Sequence, residues 1–188
     1  MLYTPVTIGE TSTGCTTHMP REVRPIPLTH TSFSAFGDVI DANGEAEELI
    51  INDGHTVRHN DLAKLDLTRE GGRAAVSIFR STPPALPIVI RAMERHPLSS
   101  QAFVPLGTSP WLVVVAPAGD LEAENISIFV ARPGQGVNYH PGVWHHYNLV
   151  LFDASDFLVI DRLGTDTNCE EINLPEADWI EVDLEGII

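Results

Sequence analysis

Asn138-Tyr139-His140-Pro141-Gly142-Val143-Trp144-His145-His146-Tyr147-Asn148 places a Pro-Gly turn directly before an apolar, aromatic run. That order reads as a loop feeding a β-strand, expected over residues 144–151. Three of the chain's eight histidines fall within these few positions. Side chains alternate along a strand, so His145 and His146 are expected on opposite faces. One of the pair then lines an interior, and the other packs outside or at an interface. His140, across the turn, can return to the same mouth.

The same punctuated pattern runs through the chain. Further strands are expected near residues 23–28, 38–40, 49–52, 73–80, 88–96, 101–105, 111–116, 126–130, 157–161 and 179–182. Gly71-Gly72, Pro83-Pro84, Gly119-Asp120 and Pro133-Gly134 break them apart. Short strands at even spacing, with almost no 3.6-residue periodicity, indicate an all-β sandwich or barrel of antiparallel strands. One or two short helices complete it: residues 31–36, capped by Thr31 and stopped by Gly37, and residues 174–178.

Ile88-Val89-Ile90-Arg91-Ala92-Met93-Glu94-Arg95-His96 is the second informative stretch. Taken as one strand, it puts Ile88, Ile90, Ala92, Glu94 and His96 on a single face. A row that starts apolar and ends in Glu and His looks like a core face running into a polar pocket. Carboxylate and neutral imidazole are also good ligands for a divalent first-row metal. The plainer reading makes Glu94 a rim residue paired with an arginine.

Composition removes whole classes of function. The 188 residues are 43% hydrophobic and 20% charged, a globular balance and one domain's worth of core. A formal net charge of -15 argues against nucleic acid or an anionic membrane surface as the main partner. The single lysine, Lys64, sits in a polar stretch, which disfavours Schiff-base chemistry. Cys15 and Cys169 are too few and too far apart for a disulfide framework or a thiolate zinc site. With no long apolar run and no signal-peptide pattern, a cytoplasmic protein is expected. Residues 1–18 are expected to form a polar, flexible extension ahead of a single domain over residues 19–188. Residues 151–188 hold eleven acids and one base, read as a solvated acidic face.

Glu94-x-His96 followed by Gln101, and Gly142-Val143-Trp144-His145, resemble the two half-motifs of the cupin barrel. The first half departs from the usual pattern, with Glu-x-His and a Gln in place of His-x-His and a Glu. Longer stretches resemble a narrower family: residues 94–106, Gln135-Gly136-Val137-Asn138-Tyr139-His140, Gly142-Val143-Trp144-His145-His146, and Asp156-Phe157-Leu158-Val159-Ile160-Asp161-Arg162. Together they are similar to the ureidoglycolate lyases of allantoin catabolism, over about residues 21–169. Pro141 and Tyr147 depart from that family's pattern, where Arg and Pro are more usual. The resemblance implies a cupin-like catalytic domain, a homodimer, nickel as a cofactor, and cleavage of (S)-ureidoglycolate to glyoxylate and urea.

Such a substrate needs a base for its hydroxyl proton, an acid for the departing nitrogen and a cation for its carboxylate. His145 with Glu94, His96 and Gln101 is the expected metal or polar centre. His140 and His145 are the expected acid–base pair, and Tyr139 and Trp144 shape the pocket. His146, facing away, is assigned to packing or the dimer contact. Arg80 is the first choice for the carboxylate and Arg162 the second; either can instead be a solvated strand-end arginine. Two other activities fit the residues. One is an amidohydrolase releasing ammonia and carbon dioxide from the same ureide; the other is a non-catalytic module binding a small 2-oxo or 2-hydroxy acid. The homodimer is expected to use apolar strands left on an edge, Trp111–Ala116 among them. Because the chain is so acidic, an anionic substrate requires a locally positive pocket.

Overall fold

The computed structural model describes residues 19–43 and 46–187, so the expected extension over residues 1–18 lies outside the described residues. Strands follow one another as β1 (Arg21–Val23), β2 (Ile26–Pro27), β3 (Gly37–Ile40), β4 (Glu47–Ile51), β5 (Thr56–Asn60), β6 (Arg73–Ser81), β7 (Val89–Ile90) and β8 (Ala92–Arg95). The second half contributes β9 (Gln101–Pro105), β10 (Trp111–Ala116), β11 (Ser127–Ala131), β12 (Gly136–Tyr139), β13 (Trp144–His145), β14 (Leu149–Val150), β15 (Ser155–Leu163), β16 (Glu170–Asn173) and β17 (Ile180–Val182).

Two sheets face each other across the main core. One has the order β3-β12-β9-β15-β6, and the other β16-β8-β13-β10-β11-β2, with β14 also pairing with β10. Strand β10 shows why its sequence has no polar alternation. Trp111, Val113 and Val115 point into the core between the sheets, with Phe103, Val137, Phe157 and Val159. Leu112, Val114 and Ala116 point the other way, into a second core closed by Ile90, Ile180 and Val182. The small sheet β1-β17-β7 covers that second face. A strand buried on both faces reads as a continuous apolar run. Trp111–Ala116 is therefore central, not the exposed edge expected of it.

Two expected strands are broken, and the breaks build the site. Residues 88–96 divide at Arg91: β7 joins β17 in the small sheet, while β8 pairs with β13 and β16. The face changes there, so Ile90 and Met93 share the second core while Glu94 turns toward the first. Residues 144–151 divide at residues 146–148. Val115 pairs with His145 and Leu112 with Leu149, so four steps of one strand span three of the other. One extra residue is the mark of a β-bulge, which interrupts alternation. His146 is consequently buried like His145, and it packs on Tyr147 with ring centroids 3.9 Å apart.

The helix α1 (His30–Phe33) has its cap two residues earlier than expected. Thr29, not Thr31, caps it, and Thr29 and Ser32 each bond the other's backbone N–H. Phe33, fully buried, then lies edge-on to Phe129 beneath the sheets. Three strands went unanticipated: β5, β12 and β16. Glycine opens β12, and β16 is an acidic edge strand, so neither shows an apolar signature.

Candidate active site

Six polar side chains meet at one end of the main core, and the ladders explain why. Tyr139 pairs with Gln101 across β12 and β9, and Ile160 pairs with Ala102, which sets Asp161 beside Gln101. All three share the inward face of Val137, Phe103 and Val159. On the facing sheet Glu94 pairs directly with His145. His96 follows one residue beyond β8 on the same side as Glu94.

His145 occupies the middle of this group. Its ring stacks on Tyr139 at 4.3 Å between centroids and an interplanar angle of 14°. Its Nε2 lies 3.1 Å from Gln101 Oε1 and 3.4 Å from Glu94 Oε1. The neighbouring His145 holds the Glu94 carboxyl below its ordinary range, against a burial that pushes it up. Burial, and then the neighbouring His145, keep His96 below the usual imidazole value. Burial, with a smaller push from His145, drives His146 down to about 4, which leaves it neutral through the physiological range. The Tyr139 phenol is pushed far up by burial, so it stays protonated at neutral pH.

The second ring nitrogens decide what this centre can hold. His96 Nδ1 lies 2.6 Å from the Asn168 carbonyl, and His145 Nδ1 lies 3.2 Å from the Val143 carbonyl. A carbonyl only accepts, so each Nδ1 carries the proton and donates it, leaving an Nε2 lone pair. Those two lone pairs and a Glu94 oxygen all fall within 4.8 Å of one another. His96 Nε2 is buried without a hydrogen-bond partner. Two imidazoles and one carboxylate form a donor set suited to a divalent first-row cation, so the residues fit such a metal. The expected fourth member, Gln101, reaches the same centre, its Oε1 lying 3.1 Å from His145 Nε2.

A cleft of about 290 Å³ opens beside this centre, lined by His96, Ser99, Gln101, Asp161, Arg162 and Asn168 among others. The Arg162 side chain is fully buried there. Its Nε donates to the Arg69 carbonyl at 3.0 Å and its Nη2 to the Glu70 carbonyl at 3.2 Å. A Cβ on either Gly72 or Gly164 would overlap the guanidinium, so both glycines are required to form its slot. Nη1 is left buried with no partner. Asp166 Oδ2 lies 3.4 Å from Nη2, so Nη1 is the donor of this guanidinium that could take an anion.

Three expected site residues are not brought here. Arg80 is exposed, at the opposite end of β6, and its guanidinium forms a two-pronged pair with Asp156 at 2.7 and 2.8 Å. That carboxylate occupies the fork a substrate would need. Trp144 faces the second core, donating to the Gly119 carbonyl with Arg95 stacked 4.4 Å above its ring. Trp144 thus lies on the side of its strand away from His145, as alternation favours. His140 lines a separate cleft with Lys64, Leu67 and Pro141, its Nε2 lying 3.6 Å from Asp38.

Two residues belong to the site that motif reasoning missed. Asp161 could have been found by alternation from Phe157 and Val159. Asn168 left no signal, because it acts largely through its backbone. Besides holding His96, its side chain accepts from Leu98 N–H at 2.7 Å and donates to Ser99 Oγ at 2.8 Å. Asn168→Ala is expected to release this loop and lower kcat/KM by about 10–100-fold, as partners that orient a metal-ligating imidazole commonly do. Steady-state kinetics within twofold of wild type would remove Asn168 from the site.

Comparison with known proteins adds to this geometry. Residues 20–181 match the profile of the family described as ureidoglycolate lyase. A curated ureidoglycolate lyase of Burkholderia mallei is 53% identical over 157 residues, 84% of this chain and 92% of that protein. One from Pseudomonas syringae pv. syringae is 46% identical over 85% of this chain and 96% of its own length. Among solved structures, a dTDP sugar isomerase from Desulfovibrio desulfuricans is similar with a TM-score of 0.40 and 14% identity, covering 70% of this chain and 82% of that one.

Proposed function

The chain belongs to the ureidoglycolate lyase family, and from that membership we propose that it cleaves (S)-ureidoglycolate to glyoxylate and urea in allantoin breakdown. The observation that carries this reading is a convergent Glu94–His96–His145 centre whose His96 also lines the adjoining cleft, where Arg162 keeps an unpartnered donor. The substrate carbon bears a hydroxyl, a carboxylate and a ureido nitrogen. As the hydroxyl loses its proton, its oxygen forms the aldehyde carbonyl. The carbon–nitrogen bond breaks, and the electron pair leaves with nitrogen, which takes up a proton to become urea.

Arg162 Nη1 holds the carboxylate, the role considered for Arg80. Tyr139 and Gln101 fix His145, and Asn168 fixes His96, so both imidazoles present Nε2 to the carbinol. Proton transfer from and to such positioned groups is worth about 10²–10⁴-fold in rate. Glu94 Oε1, His96 Nε2 and His145 Nε2 would hold a divalent cation, nickel being the one that the family resemblance implies. Its chemistry when bound is to polarise the hydroxyl and lower its pKa.

The deciding assay follows urea and ammonia together from purified protein, with and without chelator and added nickel. Urea equal to glyoxylate, without ammonia, is the expected result. Stoichiometric ammonia would overturn the reading in favour of an amidohydrolase. Loss of rate on chelation, restored by metal, assigns the proton chemistry to a bound cation; an unchanged rate assigns it to the free imidazoles.

The enzyme works as a cytoplasmic homodimer in this reading, and among the described residues no helix is long and apolar enough to cross a membrane. Strand β6 ends its sheet and exposes Val76, Ile78 and Phe79 along its nine residues. A long apolar edge invites pairing with a second copy. Light scattering is expected to return twice the chain mass, and Val76→Asp to halve it. A monomer at micromolar concentration would refute the dimer.

A further inference from the structure

We infer that Asp161 selects the ureido end of the substrate, its two carboxylate oxygens accepting the two parallel N–H bonds of that group. This rests on the lyase reading and goes beyond it, to what distinguishes a ureide from any other small 2-hydroxy acid. The inference comes from accounting for the carboxylates and amides around the cleft, with Ser99. Gln101 Oε1 faces His145 Nε2. Ser99 Oγ accepts from Asn168, and Asn168 Oδ1 accepts from Leu98 N–H. Asp166 lies against Arg162, and Glu94 against His145.

Asp161 is the carboxylate that remains. It lines the cleft, shares the inward face with Gln101, and is reached by the Gln101 amide and the charge of His96, but by no arginine. One neutral amide and a backbone N–H leave the two carboxylate oxygens with acceptor capacity to spare. Nothing in the packing of β15 requires it, since Val159 fills the adjoining inward position with an apolar side chain.

The chemistry of the substrate supplies what is lacking. A ureido group presents parallel N–H bonds in the same fork that lets a guanidinium grip a carboxylate. Asp161 also repels the substrate's own carboxylate, which Arg162 attracts. The two neighbours on β15 therefore fix the direction of binding: carboxylate toward Arg162, ureido nitrogen toward Asp161, carbinol between them at the imidazoles. A site built to hydrogen-bond an N–H group rejects analogues without it far more strongly than an apolar pocket can.

The experiment uses the full chain carrying Asp161→Asn, with Asp161→Ala as a second variant, and reads turnover, product inhibition and metal content. Kcat/KM for ureidoglycolate is expected to fall at least about a hundredfold. Urea binding, read by titration calorimetry and as inhibition, should weaken at least about tenfold, while glyoxylate binding stays within about threefold. Equal weakening of urea and glyoxylate would overturn the inference, as would urea binding unchanged in both variants. A fall in bound metal would also overturn it, by making Asp161 a ligand. If wild type fails to turn over ureidoglycolate yet binds urea through Asp161, the lyase reading falls and this assignment stands. Wild type that binds no urea refutes the assignment, whatever its turnover.

Discussion

His145→Ala is expected to lower urea release from ureidoglycolate by at least about a thousandfold, with most of the loss in kcat. The size follows from how many roles meet on one ring. Its Nε2 faces both Glu94 and Gln101, and it supplies one of three convergent ligand atoms. Loss of a positioned acid–base group alone costs about 10²–10⁴-fold. The substitution also removes the ring stacked on Tyr139, from a position that is 1% exposed, so stability must be measured alongside. A cavity of that kind typically costs about 2–5 kcal/mol. Glu94→Gln separates the two effects. It keeps the shape of the side chain but removes the charge that faces His145, so kcat should fall at least about tenfold with little change in melting temperature. Full activity in Glu94→Gln, or a His145→Ala loss confined to KM, would displace this centre from the chemistry.

The parts of this protein that were legible in sequence are those set by local pattern. Gln101–Pro105 and Trp111–Ala116 are bounded by turn residues and emerged with the expected limits. Glu94, His96 and His145 were found because alternation places them on inward faces. The misses are non-local. Whether Trp111–Ala116 lies at an edge or the centre depends on which strands flank it, and those come from residues 127–131, 144–145 and 149–150. The break at Arg91 arises because β17, some ninety residues away, recruits β7 into another sheet. Trp144 was the avoidable error, since the rule that turned His145 inward already turned its neighbour outward. His140 failed for another reason: the turn it begins packs against Phe36 and His96 backbone, and its ring leaves toward Asp38.

Arg162 and Arg80 offer the sharpest contrast, because a sequence alone shows two arginines at strand ends and no way to rank them. The nine-residue pairing of β15 with β6 ranks them. It sets Asp156 opposite Arg80, in solvent, and carries Arg162 to the other end, beneath the turn at residues 69–72. Arg162→Met is expected to raise KM at least about thirtyfold, the equivalent of losing one charge-assisted hydrogen bond. It should also destabilise the fold by about 2–4 kcal/mol, since the Arg69 and Glu70 carbonyls lose their donors. Arg162→Lys should rescue little, because a point charge cannot bridge two carbonyls and a ligand at once. Gly164→Ala tests the same slot from outside: its Cβ meets the guanidinium, so KM should rise although every charge is retained. Arg80→Ala should leave KM within about twofold, as an exposed ion pair contributes little. Kinetics in which Arg80→Ala raises KM and Arg162→Lys does not would reverse the assignment. The ladder register, and not the resemblance, is what ranks Arg162 above Arg80 for the carboxylate.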